Sequence, residues 1–252
     1  MTTDLALLAT RGASIVDRGD YLVVETPDDP GYYFGNLLAL PAAPQIGEVA
    51  YWTRRFALEL GKKPEIRHVT LQWDDPTGAT GAADELVAAG FVVEVHEVRT
   101  AAQLVTPPAP AGVTIRAMDP DDVRASIELA WGISDRHDES YRAFLRRRAA
   151  WHASLVERGA AGFWGAYDDA TGELAGSLGL VPLGDVRRYQ DVQTAPTHRK
   201  RGIAAALLAT AAASGTTPLV IVAELGGAAA RVYERLGLRV VEHIGSACKY
   251  PS

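Results

Sequence analysis

Between Arg188 and Ser214 the chain passes from extended to helical backbone within a few residues, and the residues at that junction restrict how it can do so. Arg188 to Thr194 reads as a strand closed by Pro196, and an Ala-rich run with helical spacing follows from Ile203 to about Ser214. The first turn of such a helix leaves backbone N–H groups unpaired, and with the helix dipole they attract anionic oxygens. Arg199, Lys200 and Arg201 add positive charge at that point. Gly202 and Ala204 carry almost no side chain, so a ligand can approach the main chain closely. The stretch therefore reads as a clamp for a diphosphate. The plainer reading is a solvated turn ahead of an amphipathic helix.

Composition narrows what such a clamp can serve. With 252 residues the chain suits one large domain or two units of about 100 to 150 residues. Its 48% hydrophobic and 22% charged residues fit a packed globular protein. A formal charge of -6 argues against a general nucleic-acid binder, which relies on a basic surface. The single cysteine, Cys248, excludes an internal disulfide and any multi-cysteine metal site; no metal is expected. Met1 to Asp20 lacks a basic start and a long apolar run, and no segment approaches the about 18 to 20 apolar residues that span a bilayer. A soluble, cytoplasmic protein with no membrane partner is expected, and oligomeric state is not legible.

In the first half, Ser14 to Val16 and Tyr21 to Glu25 read as strands joined by a Gly-containing turn. Tyr32 to Leu40 reads as another strand, Ile46 to Leu60 as a helix, and Ile66 to Trp73 as an apolar strand. Ala82 to Ala89 is a short helix stopped by Gly90, before a strand from Phe91 to Val98. Thr106 to Gly112, with three prolines, is a stiff extended segment and marks the expected boundary. The expected organisation is a unit over residues 1–105, a Pro-rich linker over 106–112 and a second unit over 113–252.

The second unit begins with a strand from Val113 to Arg116, then a helix start with Asp119 as N-cap and Pro120 in the first turn. That helix is expected to reach about Trp131, and a longer one spans Glu139 to Glu157. Helical spacing turns Arg146 to solvent and leaves Arg147 on the flank of the apolar stripe. Arg148 and His152 fall inside it, where they either snorkel past apolar neighbours or line a pocket. Gly162 to Tyr167, Glu173 to Val181 and Arg188 to Thr194 form three successive strands. Beyond the clamp helix come a buried strand from Pro218 to Glu224, a short helix from Ala228 to Leu236, and final strands at Arg239 to His243 and Ala247 to Tyr250.

The element order, the Arg199-x-x-Gly202-x-Ala204 pattern and Tyr233-Glu234-Arg235-Leu236-Gly237-Leu238 together resemble the GNAT acyltransferase superfamily over Val113 to Ser252. With Gly90 set against Gly237, Ala82 to Phe91 overlies Ala229 to Leu238, so the first half looks like a degenerate GNAT-like unit. Its loop Pro41 to Gly47 has no Arg or Lys, and Leu86 stands where the second half has Tyr233. The expected fold is α/β (α+β): two GNAT-like units, each a mixed, mostly antiparallel twisted sheet flanked by helices, with one active site per chain.

The resemblance implies an N-acetyltransferase using acetyl-CoA as co-substrate. It implies that Arg199, Lys200, Arg201, Gly202, Ile203 and Ala204 hold the donor's phosphates. It also implies that the main chain of Gln193 and Thr194, splayed from the next strand, pairs with pantetheine amides and can polarise the thioester carbonyl. Tyr233 carries over as the group beside the CoA sulfur; a phenol stays protonated at neutral pH and can protonate a thiolate. Its plainer role is a helix tyrosine packed on the sheet. Asp191 and Glu224 are candidate bases for the amine's proton, unless either is a solvated strand-end charge or water removes the proton. Where many members have an Asn before the Tyr helix, this chain has Gly226-Gly227, so one cofactor contact is expected to be lost. The acceptor is expected to be a small-molecule amine or an exposed protein amino group. The alternative is a non-catalytic CoA-binding sensor or interaction module.

Overall fold

The computed structural model describes residues 1–251 and divides into two compact units. The first consists of Met1–Val98, Val222–Gly227 and the chain from Val240 onward; the second consists of Arg99–Ile221 and Ala228–Arg239. The elements of the first half are α1 (Thr2–Thr10), β1 (Ser14–Asp17), β2 (Leu22–Glu25), β3 (Leu37–Leu40), α2 (Val49–Glu59), β4 (Val69–Asp75), α3 (Ala83–Ala88) and β5 (Val92–Ala101). There follow β6 (Val113–Ala117), α4 (Pro120–Ala125), α5 (Ile127–Ile133), α6 (Glu139–Glu157), β7 (Gly162–Asp168), β8 (Leu174–Leu183) and β9 (Val186–Thr194). The chain closes with α7 (Ile203–Ala212), β10 (Leu219–Glu224), α8 (Ala230–Arg235) and β11 (Arg239–Lys249).

In the first unit the strand order is β1-β2-β3-β4-β11-β5. The pairs β1/β2, β2/β3 and β4/β11 are antiparallel, while β3/β4 is parallel. Trp73, Phe56, Leu71 and Leu86 form its core with Leu38 and Leu40. In the second unit the order is β10-β9-β8-β7-β6, antiparallel from β6 to β9 and parallel at β9/β10. Each unit is thus a mixed, mostly antiparallel sheet with helices against it. Residues 222–227 and 240 onward, which follow the Pro-rich segment in sequence, lie with the first unit.

Several elements differ from their sequence readings for identifiable reasons. The final strand is continuous from Arg239 to Lys249 rather than interrupted after His243. Gly245 is a close approach and not a turn: it faces Trp73 in the β4/β11 register, and a Cβ there would lie 2.2 Å from the indole. The segment expected as a strand from Tyr32 begins instead with a 3-10 turn at Tyr33–Gly35. Asn36, fully buried, holds that turn by accepting from the Thr26 amide and donating to the Asp29 and Tyr32 carbonyls. The helix expected to reach Trp131 is divided at Ser126, whose hydroxyl donates to the Val123 carbonyl. Helix α1 was not expected; Leu8 packs there against Val24, Leu37 and Ala39.

The repeat is visible in the helix ends. Gly90 (φ +88) follows α3 and Gly237 (φ +94) ends α8, both left-handed. The Phe91 amide donates to the Leu86 carbonyl as the Leu238 amide does to the Tyr233 carbonyl. The Gly90–Val87 and Gly237–Glu234 bonds complete the same capping pattern in both units.

Candidate active site

Strand β9 carries the site. It pairs with β8 along its length, but with β10 only where Arg187 and Arg188 face Leu219 and Val220. From Tyr189 to Thr194 no residue of β9 is registered with β10 among the described residues, so that backbone edge of β9 is open. The β8/β9 register also shifts: Gly179 faces Gln190 and Ser177 faces Gln193, so Asp191 and Val192 stand opposite Leu178 alone. This is a β-bulge, and Asp191 occupies it with φ +46, which Asp tolerates better than most residues. A bulge bends its strand and re-aims a side chain, here at the outer end of β9.

Helix α7 is fixed to β9 at two points. Tyr189 donates its hydroxyl hydrogen to the Leu208 carbonyl at 2.8 Å, and Arg187 donates to the Ala212 carbonyl at 2.7 Å and to the Thr217 carbonyl. A buried cation at a helix C-terminus matches the dipole. At the other end Gly202 is the N-cap, left-handed at φ +81 and without a side-chain cap. The N–H groups of Ile203, Ala204 and Ala205 therefore have no intrahelical acceptor and point out of the helix end. Lys200 is left-handed as well, at φ +65.

The basic loop divides into two roles. His198 Nε2 lies 3.1 Å from Asp168 Oδ2, and Thr197 Oγ1 lies 2.9 Å from His198 Nδ1. Arg201 lies 3.5 Å from the same carboxylate and donates to the Ala111 carbonyl at 3.0 Å. Hydrogen bonding from His198, more than Arg201, holds the Asp168 carboxyl below the usual range. His198 and Arg201 thus tie the loop down, while Arg199 and Lys200 are exposed and make no ion pair among the described residues. Asp168 has no motif signature; its place in a β-turn gave no hint of this tether.

On the other side of β9, helix α6 delivers Arg148 and His152 to Asp191. Arg148 Nε stands 3.2 Å from Asp191 Oδ2, and His152 Nδ1 stands 3.6 Å from the same oxygen. These side chains, with Ser177 and Gln193, line a hollow of ≈ 20 Å³, room for about one water. His152 is packed between the rings of Trp151 and Phe163, at centroid distances of 4.5 and 4.7 Å. Helical spacing had marked Arg148 and His152 as interruptions of an apolar stripe, and both line the hollow.

The remaining sequence candidates, Tyr233 and Glu224, are not among the residues that line the hollow. Tyr233 is 5% exposed on α8. Burial pushes its phenol above the ordinary value, partly offset by Arg99. Glu224 is exposed at the end of β10 and falls in the first unit. In that unit β3 is registered with β4 over Leu38 to Leu40, leaving only Leu37 of the strand unpaired to it, and Leu86 is fully buried at the position of Tyr233.

Residues 159–239 match the acetyltransferase (GNAT) domain family. No curated protein matches the chain in sequence. A structure of a functionally unknown conserved protein from Staphylococcus epidermidis superposes with a TM-score of 0.78 at 11% identity, covering 95% of both chains. A GCN5-related N-acetyltransferase from Kribbella flavida superposes with a TM-score of 0.67 at 18% identity, covering 100% of this chain and 95% of its own. The fold is a GNAT fold. Two-unit GNAT architecture recurs in a tandem GNAT protein from the clavulanic acid biosynthesis pathway, with a TM-score of 0.54 at 17% identity over 95% of this chain and 84% of the other. The matched GNAT segment contains the open part of β9, the basic loop and Tyr233; Arg148 and His152 precede it. No helix among the described residues is long and apolar enough to cross a membrane.

Proposed function

We propose that the chain is an N-acetyltransferase that moves an acetyl group from acetyl-CoA to an amine, at one site built on β9 and α7. The observation that carries this reading is the parting of β9 from β10 after Arg188, beside an uncapped helix N-terminus. The residues fit the donor. Ile203, Ala204 and Ala205 offer N–H groups to phosphate oxygens, Arg199 and Lys200 add charge, and Gly202 leaves the approach open. The main chain of Gln193 and Thr194 serves as an edge for amide groups and as a donor toward a polarised carbonyl.

The transfer needs the amine neutral and the departing sulfur protonated. Asp191 takes the amine's proton, directly or through a water, for which the hollow has room. Tyr233 gives a proton to the sulfur; its raised pKa keeps the phenol protonated and available. Acetyl-CoA should raise the melting temperature and protect the Arg199 to Ala204 amides from hydrogen exchange, and amines should release free thiol. Absence of both the stabilisation and the protection would refute the donor site.

One observation favours a second reading, a CoA-binding module without turnover: at ≈ 20 Å³ the hollow by Asp191 is too small for an amine acceptor. Stabilisation by acetyl-CoA without thiol release across a broad amine panel would establish that reading instead.

A further inference from the structure

The first unit holds a cavity of ≈ 190 Å³ that plays no part in the chemistry above. Its base is one face of that unit's sheet. Glu94 and His96 alternate onto this side of β5, as Ile244 and Ser246 do on β11, and Ser246 faces Gln72 across the β4/β11 register. Helix α1 covers it with Asp4 and Leu7, and Phe34 adds an aromatic wall.

Three of the polar side chains there, Ser246, Gln72 and His96, make no hydrogen bond among the described residues. Ser246 is 2% exposed. A buried hydroxyl is nearly always satisfied, so Ser246 facing a cavity points to something bound in it, while Gln72 and His96, half-buried, stand beside it.

Charge and lining select the ligand class. Asp4 and Glu94 are carboxylates, and no Lys or Arg lines the cavity. Nearby Arg11, over the Tyr32 ring, is committed to a buried ion pair with Asp29. No group of three or more His, Cys, Asp or Glu side chains is placed to hold a metal ion among the described residues. We propose that this cavity of the first unit binds a small organic ammonium ion with a compact apolar body. The nitrogen meets the Glu94 carboxylate, Ser246 and Gln72, and the body lies against Phe34, Leu7 and Ile244.

The test uses the full chain and 2-phenylethylammonium as probe, with neutral 2-phenylethanol as control, in calorimetry and hydrogen exchange. Saturable binding is expected, with protection of α1 and of Ile244 to Ser246. Glu94→Gln should weaken the probe about tenfold, and 2-phenylethanol should bind at least as much more weakly. Glu94 is exposed, so this variant keeps the fold; Ser246→Ala should also weaken binding. No saturation at millimolar probe, equal affinity for the alcohol, or an unchanged Glu94→Gln affinity would overturn the proposal. Protection confined to Asp191–Gln193 would also overturn it, marking the probe as an acceptor at the other site. Thiol release with other amines is read separately, so failure of this proposal does not bear on the acetyltransferase reading.

Discussion

Gly176 offers a test of how the open part of β9 is held. It lies opposite Thr194 in β8, and a Cβ built there would stand 2.9 Å from the Gln193 carbonyl oxygen, 3.0 Å from Ile203 Cγ2 and 3.3 Å from Leu207 Cδ1. The first of these is backbone and cannot swing aside, so in Gly176→Ala the Gln193 peptide and the start of α7 must retreat by a few tenths of an ångström. Overpacking of this kind costs about 2 kcal/mol, which lowers the melting temperature of the second unit by roughly 4–8 °C. The displaced groups are those assigned to the donor, so acetyl-CoA affinity should fall as well. Thermal melts of the unliganded variant and calorimetric titration separate the two effects. An unchanged melting temperature would show that α7 is not seated on β8 as described. A lowered one with unchanged affinity would remove the Gln193 peptide from the donor site.

Gly202→Ala meets no atom within 4 Å, so only left-handed strain acts; it should cost about 1 kcal/mol, measurable by denaturant unfolding. Tyr233→Phe should slow turnover in a thiol-release assay while acetyl-CoA affinity stays near wild type; unchanged turnover would remove Tyr233 as the acid. Asp191→Asn should reduce turnover by at least about tenfold with donor binding retained, which single-turnover kinetics can check. Asp138, the N-cap of α6, has its carboxyl lowered to about 2, first by the Ser140 hydroxyl and then by the Tyr141 amide. Its folded value lies below the unfolded one, so its stabilisation is present above about pH 4 and lost as pH falls toward 2. Asp138→Asn should flatten that limb of an acid-unfolding profile.

Local signals made much of the second unit legible. Asp119 with Pro120 marked the start of α4, and the apolar stripe from Tyr141 to Leu155 gave α6 its full span. The uncapped start of α7 was readable because Gly202 and the Ala-rich run lie together in sequence. What escaped depends on distant partners. Asp191 meets Arg148 only because a bulge in β9 and a turn of α6 bring them together, and neither element announces the other. Gly245 looked like an interruption because Trp73, which needs its missing side chain, is far away in the chain. Helix α1 has no side-chain cap, and it is the packing of Leu7 and Leu8 that settles it.

The place of β11 bears on how the chain is made. Its residues His243 to Lys249 pair with Val69 to Asp75, yet they are synthesised after the whole second unit. Until they leave the ribosome, β4 presents an unpaired edge and Trp73 lacks the strand that packs on it. The first unit to be translated is therefore the last able to complete its sheet. A ribosome stalled before Val240 would hold an open strand edge, the kind of surface that invites pairing with other chains.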